Sequence, residues 1–341
     1  MISVSIVGAS LPSLLLALEL VRKSEYVLVD IYEQSRELGG AWKLSEIAGN
    51  EIESGCHLVA TADEKDSENI AATLLDMTGV LFRSLLADEL ISENDEYKSN
   101  NKSGPLLVPV TSWADFIRKV FDSSIMEPRI KIHFGVHVEK ICENYNYAHL
   151  SLNYLNTKQR YETKASIAFI TSYFKDMNFS NRLTPSVELQ LDEILKLPLI
   201  KNYHVIGHWS SATNFEQEQK NIFLSGETKE PFDRGVLYKD GVYIARVSKL
   251  NKERVQDLTI TDVEPWIARQ LNCRASKCTI EKVFTYSTAY KGYDNNEKLR
   301  TYFETNYQYI KFVDTLYLGR FISTLSILTD NIINESLYLK Q

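Results

Sequence analysis

The residues best suited to bind a ligand lie near the start of the chain. The turn Gly8-Ala9-Ser10-Leu11-Pro12-Ser13 is followed about twenty residues later by Glu33, and then by the pair Gly39-Gly40. A glycine-containing turn lets backbone N–H groups approach a phosphate, and an acidic residue at this spacing can accept hydrogen bonds from ribose hydroxyl groups. These residue types therefore predict the binding of a dinucleotide.

The local pattern supplies the elements that would position these groups. An apolar run at 2–7 ends at Gly8, a helical stripe starts at Leu14, and a second buried run at 26–32 ends at Glu33. This order predicts a strand, a helix and a second strand. In such a βαβ unit the diphosphate of the nucleotide lies at the N-terminus of the helix.

The turn departs from the G-x-G-x-x-G pattern, because Ser10 and Ser13 stand where its second and third glycines would be. Those glycines allow the backbone to approach the pyrophosphate and the helix to pack tightly on the strand. Serine is a mild replacement for both, since its hydroxyl can cap a helix or bind a phosphate oxygen. Pro12 is compatible with the first turn of a helix.

The positions of Glu33, Gly39 and Gly40 indicate which dinucleotide is bound. Glu33 followed at plus six and plus seven by the two glycines resembles the E-x5-G-G signature of the FAD-dependent family that includes amine oxidases, protoporphyrinogen oxidase and UDP-galactopyranose mutase. The resemblance implies FAD as the cofactor, with its ribose at Glu33. It implies that the diphosphate is surrounded by Gly8, Ser10, Ser13, Gly39, Gly40, Gly319 and Arg320.

A second segment of the resemblance concerns the flavin ring. Residues 53–61, Glu-Ser-Gly-Cys-His-Leu-Val-Ala-Thr, look like the mutase segment G-P-H-x-F-H-T, with His57 in place of the first histidine. The resemblance implies that Trp42 and His57 lie near the isoalloxazine. His57 is the candidate catalytic residue, although a structural role for a single histidine is an open alternative.

The resemblance continues at two later places. The backbone around His137-Val138 would lie against the adenine, and residues 314–320 are predicted to form a buried strand that ends at the Gly319-Arg320 pair. The mutase tyrosines that follow this pair have no counterpart at 323–328. Mutase activity of the usual kind is therefore not expected, whereas a related mutase-like reaction stays open.

The resemblance implies an α/β fold with a Rossmann-like FAD-binding domain of the glutathione-reductase type and an interleaved α+β substrate or cap domain. We expect residues 1–62, 125–175 and 300–341 in the FAD-binding domain, and residues 63–124 and 176–299 in the substrate domain. Short strand-like runs between 200 and 250 predict an antiparallel sheet in the latter.

Composition narrows the classes of partner. A hydrophobic content of 44% and 341 residues predict a folded globular protein, and a formal charge of −7 disfavours nucleic acid. An interrupted early apolar run predicts neither a signal peptide nor a transmembrane segment, so a cytoplasmic location is expected. Four cysteines without a completing ligand pair predict ordinary thiols and no metal site.

The leading functional hypothesis is an FAD-dependent oxidoreductase that transfers a hydride from a small-molecule substrate to the flavin. A degenerate homologue that only binds or regulates is the alternative, because Ser10 and Ser13 depart from the nucleotide motif. A nicotinamide-dependent dehydrogenase is a third possibility, which the Gly39-Gly40 pair disfavours.

Overall fold

A computed structural model describes residues 1–47, 49–53, 55, 57–86, 90–92, 104–171, 177–181, 200–211, 219–223, 234–238, 241–247, 260–270, 275–288, 293–315 and 318–338. The first strands in chain order are β1 (Ile2–Val7), β2 (Val27–Glu33), β3 (Leu44–Ile47), β4 (Asn50–Glu53), β5 (Val59–Ala60), β6 (Phe82–Ser84), β7 (Leu90–Ser92), β8 (Leu106–Pro109), β9 (Ile130–Phe134), β10 (Val136–Asn144) and β11 (Tyr147–Tyr154). They are followed by β12 (Gln159–Ala165), β13 (Ile167–Ile170), β14 (Asn178–Asn181), β15 (Ile200–Ser211), β16 (Gln219–Phe223), β17 (Arg234–Tyr238), β18 (Val242–Val247), β19 (Ala275–Cys278), β20 (Lys282–Thr288) and β21 (Ile310–Phe312). The helices are α1 (Leu11–Lys23), α2 (Glu64–Thr78), α3 (Trp113–Met126), α4 (Ile260–Gln270), α5 (Tyr293–Asn306) and α6 (Leu318–Tyr338).

A five-stranded parallel sheet forms the centre of the fold, with the strand order β21-β13-β1-β2-β9. Its strands are apolar on both faces because both faces are covered. Ile6 and Ile31 belong to a core on one side, and Val7 and Ile170 to a core on the other. The predicted β1-α1-β2 unit and the α/β class with a parallel sheet are therefore confirmed.

Helices α1 and α3 pack against the first face of this sheet, and α2 and α6 pack against α1 in the same core. Helix α2 and all but the last two residues of α3 fall within residues 63–124, which we assigned to the substrate domain. The structure packs Leu74 of α2 and Phe116 of α3 into the same core as Leu14 of α1. The division into two domains stays a prediction.

The second face of the parallel sheet packs against a smaller sheet of order β12-β11-β10-β14 and against α5. Strands β10, β11 and β12 are antiparallel neighbours. Val138 of β10 is buried in this second core together with Tyr32 and Phe303. The sheet therefore supports the strands whose C-terminal ends carry the candidate site.

A mostly antiparallel sheet lies in the region predicted for the substrate domain. Its order is β19-β15-β18-β17-β16-β7, and β20 also pairs with β15. One face packs against α4 through Trp266, which is fully buried. The other face contributes Ile206 and Ile244 to a cluster with Ile52 of β4.

The predicted strand at 314–320 is wrong, because β21 ends at Phe312 and residues 314 and 315 lie in neither a strand nor a helix. Helix α6 begins at Leu318, so Gly319 and Arg320 lie in its first turn. The helix forms because Leu318, Phe321 and Leu325 recur at helical spacing and are buried in the first core. Residues 316 and 317 lie outside the described part of the chain.

Helix α6, with 21 residues, is the longest described helix, and neither it nor any other described helix meets the length and apolarity criteria for a membrane-spanning helix.

Tyr32 gives the fold a pH dependence that can be measured. Burial, with the neighbouring Asp30 carboxylate, raises the pKa of Tyr32 to about 12. An unfolded tyrosine has a pKa of about 10. The folded chain therefore holds the phenol proton more tightly, and this contribution to the free energy of unfolding is complete below about pH 10 and lost as the pH rises through about 12.

We expect Tyr32→Phe to flatten the fall in stability above pH 10. Urea unfolding midpoints measured at intervals from pH 8 to 12 would show a steeper decline for the wild type than for the variant. Tyr145 is 75% exposed, so Tyr145→Phe should follow the wild-type curve. Parallel curves for the wild type and Tyr32→Phe would contradict this assignment.

Candidate functional site

The turn between β1 and α1 has the geometry that a nucleotide-binding turn requires. Gly8 has a φ of 95°, and its N–H donates to the Tyr32 carbonyl at 2.9 Å. Helix α1 begins directly afterwards, with Ser10 at the N-cap and proline in the first turn. The N–H groups in the first turn of a helix have no acceptor within the helix, so they are available to an anion.

The two serines that replace motif glycines are joined in a chain of hydroxyl groups. The Ser10 and Ser13 Oγ atoms are 2.9 Å apart, and Ser13 Oγ lies 2.6 Å from Thr171 Oγ1. Thr171 donates its hydroxyl to the Val7 carbonyl at 2.8 Å. Since each hydroxyl has one proton, the donors run from Ser10 to Ser13 to Thr171. Ser13 therefore bonds the helix to the sheet where the pattern has a glycine for close packing.

Glu33 lies at the end of β2 and is held by the backbone on both sides. Its Oε2 accepts from the Ala9 N–H at 2.7 Å, and its Oε1 accepts from the Ser35 N–H at 2.7 Å. The side chain is half-buried. An ionised carboxylate offers about four acceptor positions. Each oxygen of Glu33 can therefore accept a further hydrogen bond from a ribose hydroxyl.

The glycine pair brings its loop back to the turn. The Gly39 N–H donates to the Ala9 carbonyl at 2.9 Å, and Gly39 forms a parallel bridge with Ser10. Gly39 has a φ of +103°, and a Cβ there would lie 3.0 Å from the Phe121 ring. Gly40 has a φ of +55°, and a Cβ there would approach the Ser10 Cβ at 3.8 Å. Glycine is therefore needed for the backbone conformation and keeps the space beside Ser10 clear of side chains.

These contacts bring Gly8, Ser10, Ser13, Glu33, Gly39 and Gly40 together around the N-terminus of α1. The residues fit the ribose and diphosphate of FAD, because they combine a carboxylate acceptor, a helix N-terminus and three glycines with positive φ. The turn after β9 joins the same place, since the Gly135 N–H donates to the Ser35 carbonyl at 3.1 Å.

Trp42 and His57 form a stacked pair at the next stage of the chain. Their ring centroids are 3.5 Å apart with an interplanar angle of 15°, and Trp42 also contacts Trp113 of α3 at 5.4 Å. Trp42 closes the one-turn 3-10 helix Gly40–Trp42, which starts at the glycine pair. The glycine loop therefore connects the turn between β1 and α1 directly to this aromatic pair.

Glu53 is a site residue that the sequence analysis missed. Its carboxylate is 2% exposed and lies 2.7 Å from His57 Nδ1. It also accepts hydrogen bonds from the N–H groups of Gly55 and His57. The spacing of four residues between Glu53 and His57 was a signal in the sequence that could have identified this pair. The spacing is not helical here, because Glu53 ends β4 and His57 lies in the following loop.

Three predicted cofactor positions lie on other elements of the fold, Val138 on β10 and Gly319 and Arg320 on α6. Gly319 packs against β5, because a Cβ there would lie 1.9 Å from the Ala60 carbonyl oxygen. Arg320 follows it in α6 and is half-buried. Val138 pairs with Leu152 in the antiparallel sheet and points into the second core. Their roles towards a cofactor stay predictions.

Comparison with solved structures places the fold among oxidases and a monooxygenase. A protein provisionally assigned as a protoporphyrinogen oxidase from Exiguobacterium sp. 255-15 aligns with a TM-score of 0.56 and 11% identity, covering 100% of this chain and 99% of its own. Putrescine oxidase in its putrescine complex aligns at 0.60 and 10%, covering 97% and 99%. The p-nitrophenol 4-monooxygenase PnpA from Pseudomonas putida DLL-E4 aligns at 0.51 and 11%, covering 98% and 80%.

No protein-family model matches the chain, and no curated protein sequence does. The likeness to the solved structures extends over nearly the full length of the chain at about one identical residue in nine. The chain therefore shares the fold of these oxidoreductases.

Proposed function

We propose that the protein is an FAD-dependent oxidoreductase that removes a hydride from a small-molecule substrate. The observation that carries this proposal is the arrangement of Glu33 and Gly39 around Ala9. One binds the Ala9 N–H and the other the Ala9 carbonyl, so acid, glycine loop and helix N-terminus converge on one short turn. The fold shared with oxidases and a monooxygenase supports it.

In this proposal the chain holds the adenosine diphosphate half of FAD through its backbone and one carboxylate. Glu33 accepts the ribose hydroxyls. The diphosphate lies at the N-terminus of α1, where the helix dipole and the free N–H groups favour negative charge. Gly39 and Gly40 bring the loop alongside without side chains, and Val138, Gly319 and Arg320 are the predicted further contacts.

The isoalloxazine would lie near the stacked Trp42 and His57. Bound FAD supplies the electron sink for hydride removal. The chain supplies a water-poor aromatic surface, since Trp42 is 6% exposed. It also supplies a histidine whose orientation is fixed by a buried acid.

His57 is the residue proposed to accept a proton from the substrate. Glu53 accepts a hydrogen bond at His57 Nδ1, which places the proton on that nitrogen and leaves Nε2 as the acceptor. Burial of Glu53 stabilises this arrangement, because the carboxylate has no water to compete for its hydrogen bonds. The pair can therefore take up a proton at Nε2 while the substrate is oxidised.

A binding protein without catalysis is the second candidate. It is favoured by the hydroxyl chain that joins Ser10 and Ser13 to Thr171, because the two serines stand where the dinucleotide pattern has glycines. A mutase-like flavoenzyme would use the same cofactor site. In the binding protein no substrate reduces a bound flavin. In a mutase-like flavoenzyme the substrate is not oxidised in the net reaction, whereas in the oxidoreductase it is.

The proposal is tested by purifying the protein and identifying any chromophore. We expect a yellow protein that releases FAD on denaturation. At free FAD of about 100 times Kd, binding should stabilise the flavin-free protein by about 2.7 kcal/mol, seen as a rise in melting temperature. NAD⁺ at the same concentration should have no effect. A colourless protein whose melting temperature FAD leaves unchanged would overturn the proposal.

Turnover separates the enzyme from the binding protein. The FAD-loaded protein would be mixed without oxygen with amines, amino acids, hydroxy acids and phenols, while flavin bleaching at 450 nm is followed. The oxidoreductase proposal expects bleaching by one class and recovery on admitting oxygen or a quinone. A flavin that no class reduces favours the binding protein.

A further inference from the structure

Arg246 lies on the face of the seven-stranded sheet that is turned towards the candidate site. Residues of β18 alternate between the two faces of the sheet. Tyr243 shares a cluster with α4 on one face, whereas Val242 and Ile244 pack with Ile52 of β4 on the other. Arg246 continues the series of Val242 and Ile244. Its side chain therefore lies on the same side as the hairpin of β3 and β4.

The guanidinium group of Arg246 is buried with few partners. The residue is 8% exposed, and its Nη1 donates to the Gly55 carbonyl at the long distance of 3.5 Å. Its Nε has no hydrogen-bond partner in the described part of the chain. No carboxylate of the described residues lies within 4.0 Å of the Arg246 guanidinium. The arginine–carboxylate ion pairs among these residues all belong to other arginines.

The described residues that neighbour Arg246 in the sheet do not balance its charge. The positions opposite Arg246 in the sheet are His204 on β15 and Arg234 on β17, neither of which is an acid. Glu53 is the acid nearest along the backbone of the hairpin, and it is bound by Gly55 and His57. An arginine stays protonated in proteins, and a buried charge without a partner is strongly unfavourable. A group that supplies the missing anion from outside would remove this penalty.

The charge lies beside the residues proposed to meet the substrate. Gly55 links them, because its carbonyl accepts from Arg246 and its N–H donates to Glu53. Glu53 in turn holds His57, which stacks on Trp42. A single residue, Gly55, therefore links the unbalanced guanidinium to Glu53, which holds the proposed proton acceptor His57.

From these observations we infer that the substrate carries an anionic group, a carboxylate or a phosphate, which Arg246 binds. The inference rests on the proposed function and names the class of its substrate. The planar guanidinium fork matches both anions through paired N–H groups. Arg246 is a specificity-determining residue in this scheme, because it selects anionic substrates over neutral or cationic ones.

The test measures binding of four small probes to the FAD-loaded protein by calorimetry at constant ionic strength. Benzoate and phenyl phosphate carry the two anions, while benzyl alcohol and benzylamine are the neutral and cationic counterparts. We expect at least one anion to bind about tenfold or more tightly than both counterparts. Tighter binding of benzoate would indicate a carboxylate site, and tighter binding of phenyl phosphate would indicate a phosphate site. Equal binding of all four probes, or of none, would overturn the inference.

Variants of Arg246 test whether this residue binds the anion. Arg246→Met should weaken the anion about tenfold or more, and Arg246→Lys should weaken it less because the charge is kept without the fork. Arg160 is an exposed arginine, so Arg160→Met is the control for the change of net charge and should bind as the wild type does. If Arg246→Met does not fold, Arg246→Lys carries the test. Unchanged anion binding in a folded Arg246 variant refutes the assignment.

The two proposals fail separately. FAD binding is followed by flavin absorbance in every variant, and anion binding is repeated on flavin-free protein. Loss of anion binding with FAD retained overturns the role of Arg246 alone. Anion binding through Arg246 in a protein that never binds FAD overturns the flavin proposal and leaves the anion site standing.

Discussion

Replacing Glu33 with glutamine is expected to weaken FAD binding about tenfold to a hundredfold while the fold remains intact. The amide has one acceptor oxygen instead of two, and the negative charge is lost. Losing about one hydrogen bond to a charged group costs about 1.5–3 kcal/mol, which corresponds to this loss of affinity. The amide NH₂ must also face the N–H of either Ala9 or Ser35, so the turn loses one bond of its own.

The measurement is a titration of flavin-free protein with FAD and, in parallel, with FMN. FMN lacks the adenosine ribose, so the wild type should prefer FAD and Glu33→Gln should lose most of that preference. Glu68 is an exposed acid on α2, and Glu68→Gln is the matched control. Equal affinities for FAD in the wild type and Glu33→Gln would contradict the assignment of Glu33 to the ribose.

The second large effect is expected at Gly319, where alanine should lower the free energy of unfolding by about 2–3 kcal/mol. A Cβ at this position would lie 1.9 Å from the Ala60 carbonyl oxygen and 3.1 Å from a methyl group of Val59. The nearer atom belongs to the backbone, so no change of rotamer can relieve the contact. Helix α6 would have to move away from β5.

Urea unfolding compares Gly319→Ala with Thr324→Ala, at an exposed position of the same helix. Alanine has the higher intrinsic helix propensity in both cases. The control should therefore be neutral or slightly stabilising, and only the Gly319 variant should lose stability. A Gly319 variant as stable as the wild type would show that the helix start adjusts without cost.

The sequence predicted the elements whose signals are local. The strand at 2–7, the helix after Gly8 and the acid that ends the second strand follow from the spacing of apolar residues within about thirty positions. The parallel pairing of β1 with β2 then follows from the short helical connection between them. These are the parts of the candidate site that sequence reasoning placed correctly in the chain.

The remaining features depend on contacts between distant segments. The apolar residues of 314–320 were interpreted as a strand, and their pattern did not show that Leu318 and Phe321 would be buried on one side of a helix. The strand at 242–247 is among the runs predicted between 200 and 250. That Arg246 lies on the face turned towards the candidate site is shown only by the packing of Ile244 on Ile52. The packing of α2 and α3 against α1 could not be read from the sequence either, because α1 lies far away along the chain.

The hydroxyl chain at the start of α1 has a consequence for how this turn can change during evolution. Ser10 is the N-cap residue, yet its side chain makes no cap bond to its own helix and is instead hydrogen-bonded to Ser13. Ser13 and Thr171 thereby keep the amide groups of the first turn open to an incoming phosphate. Ser10, Ser13 and Thr171 should therefore change together, because glycine at position 13 alone would free the Ser10 hydroxyl to accept hydrogen bonds from those same amides in competition with the ligand.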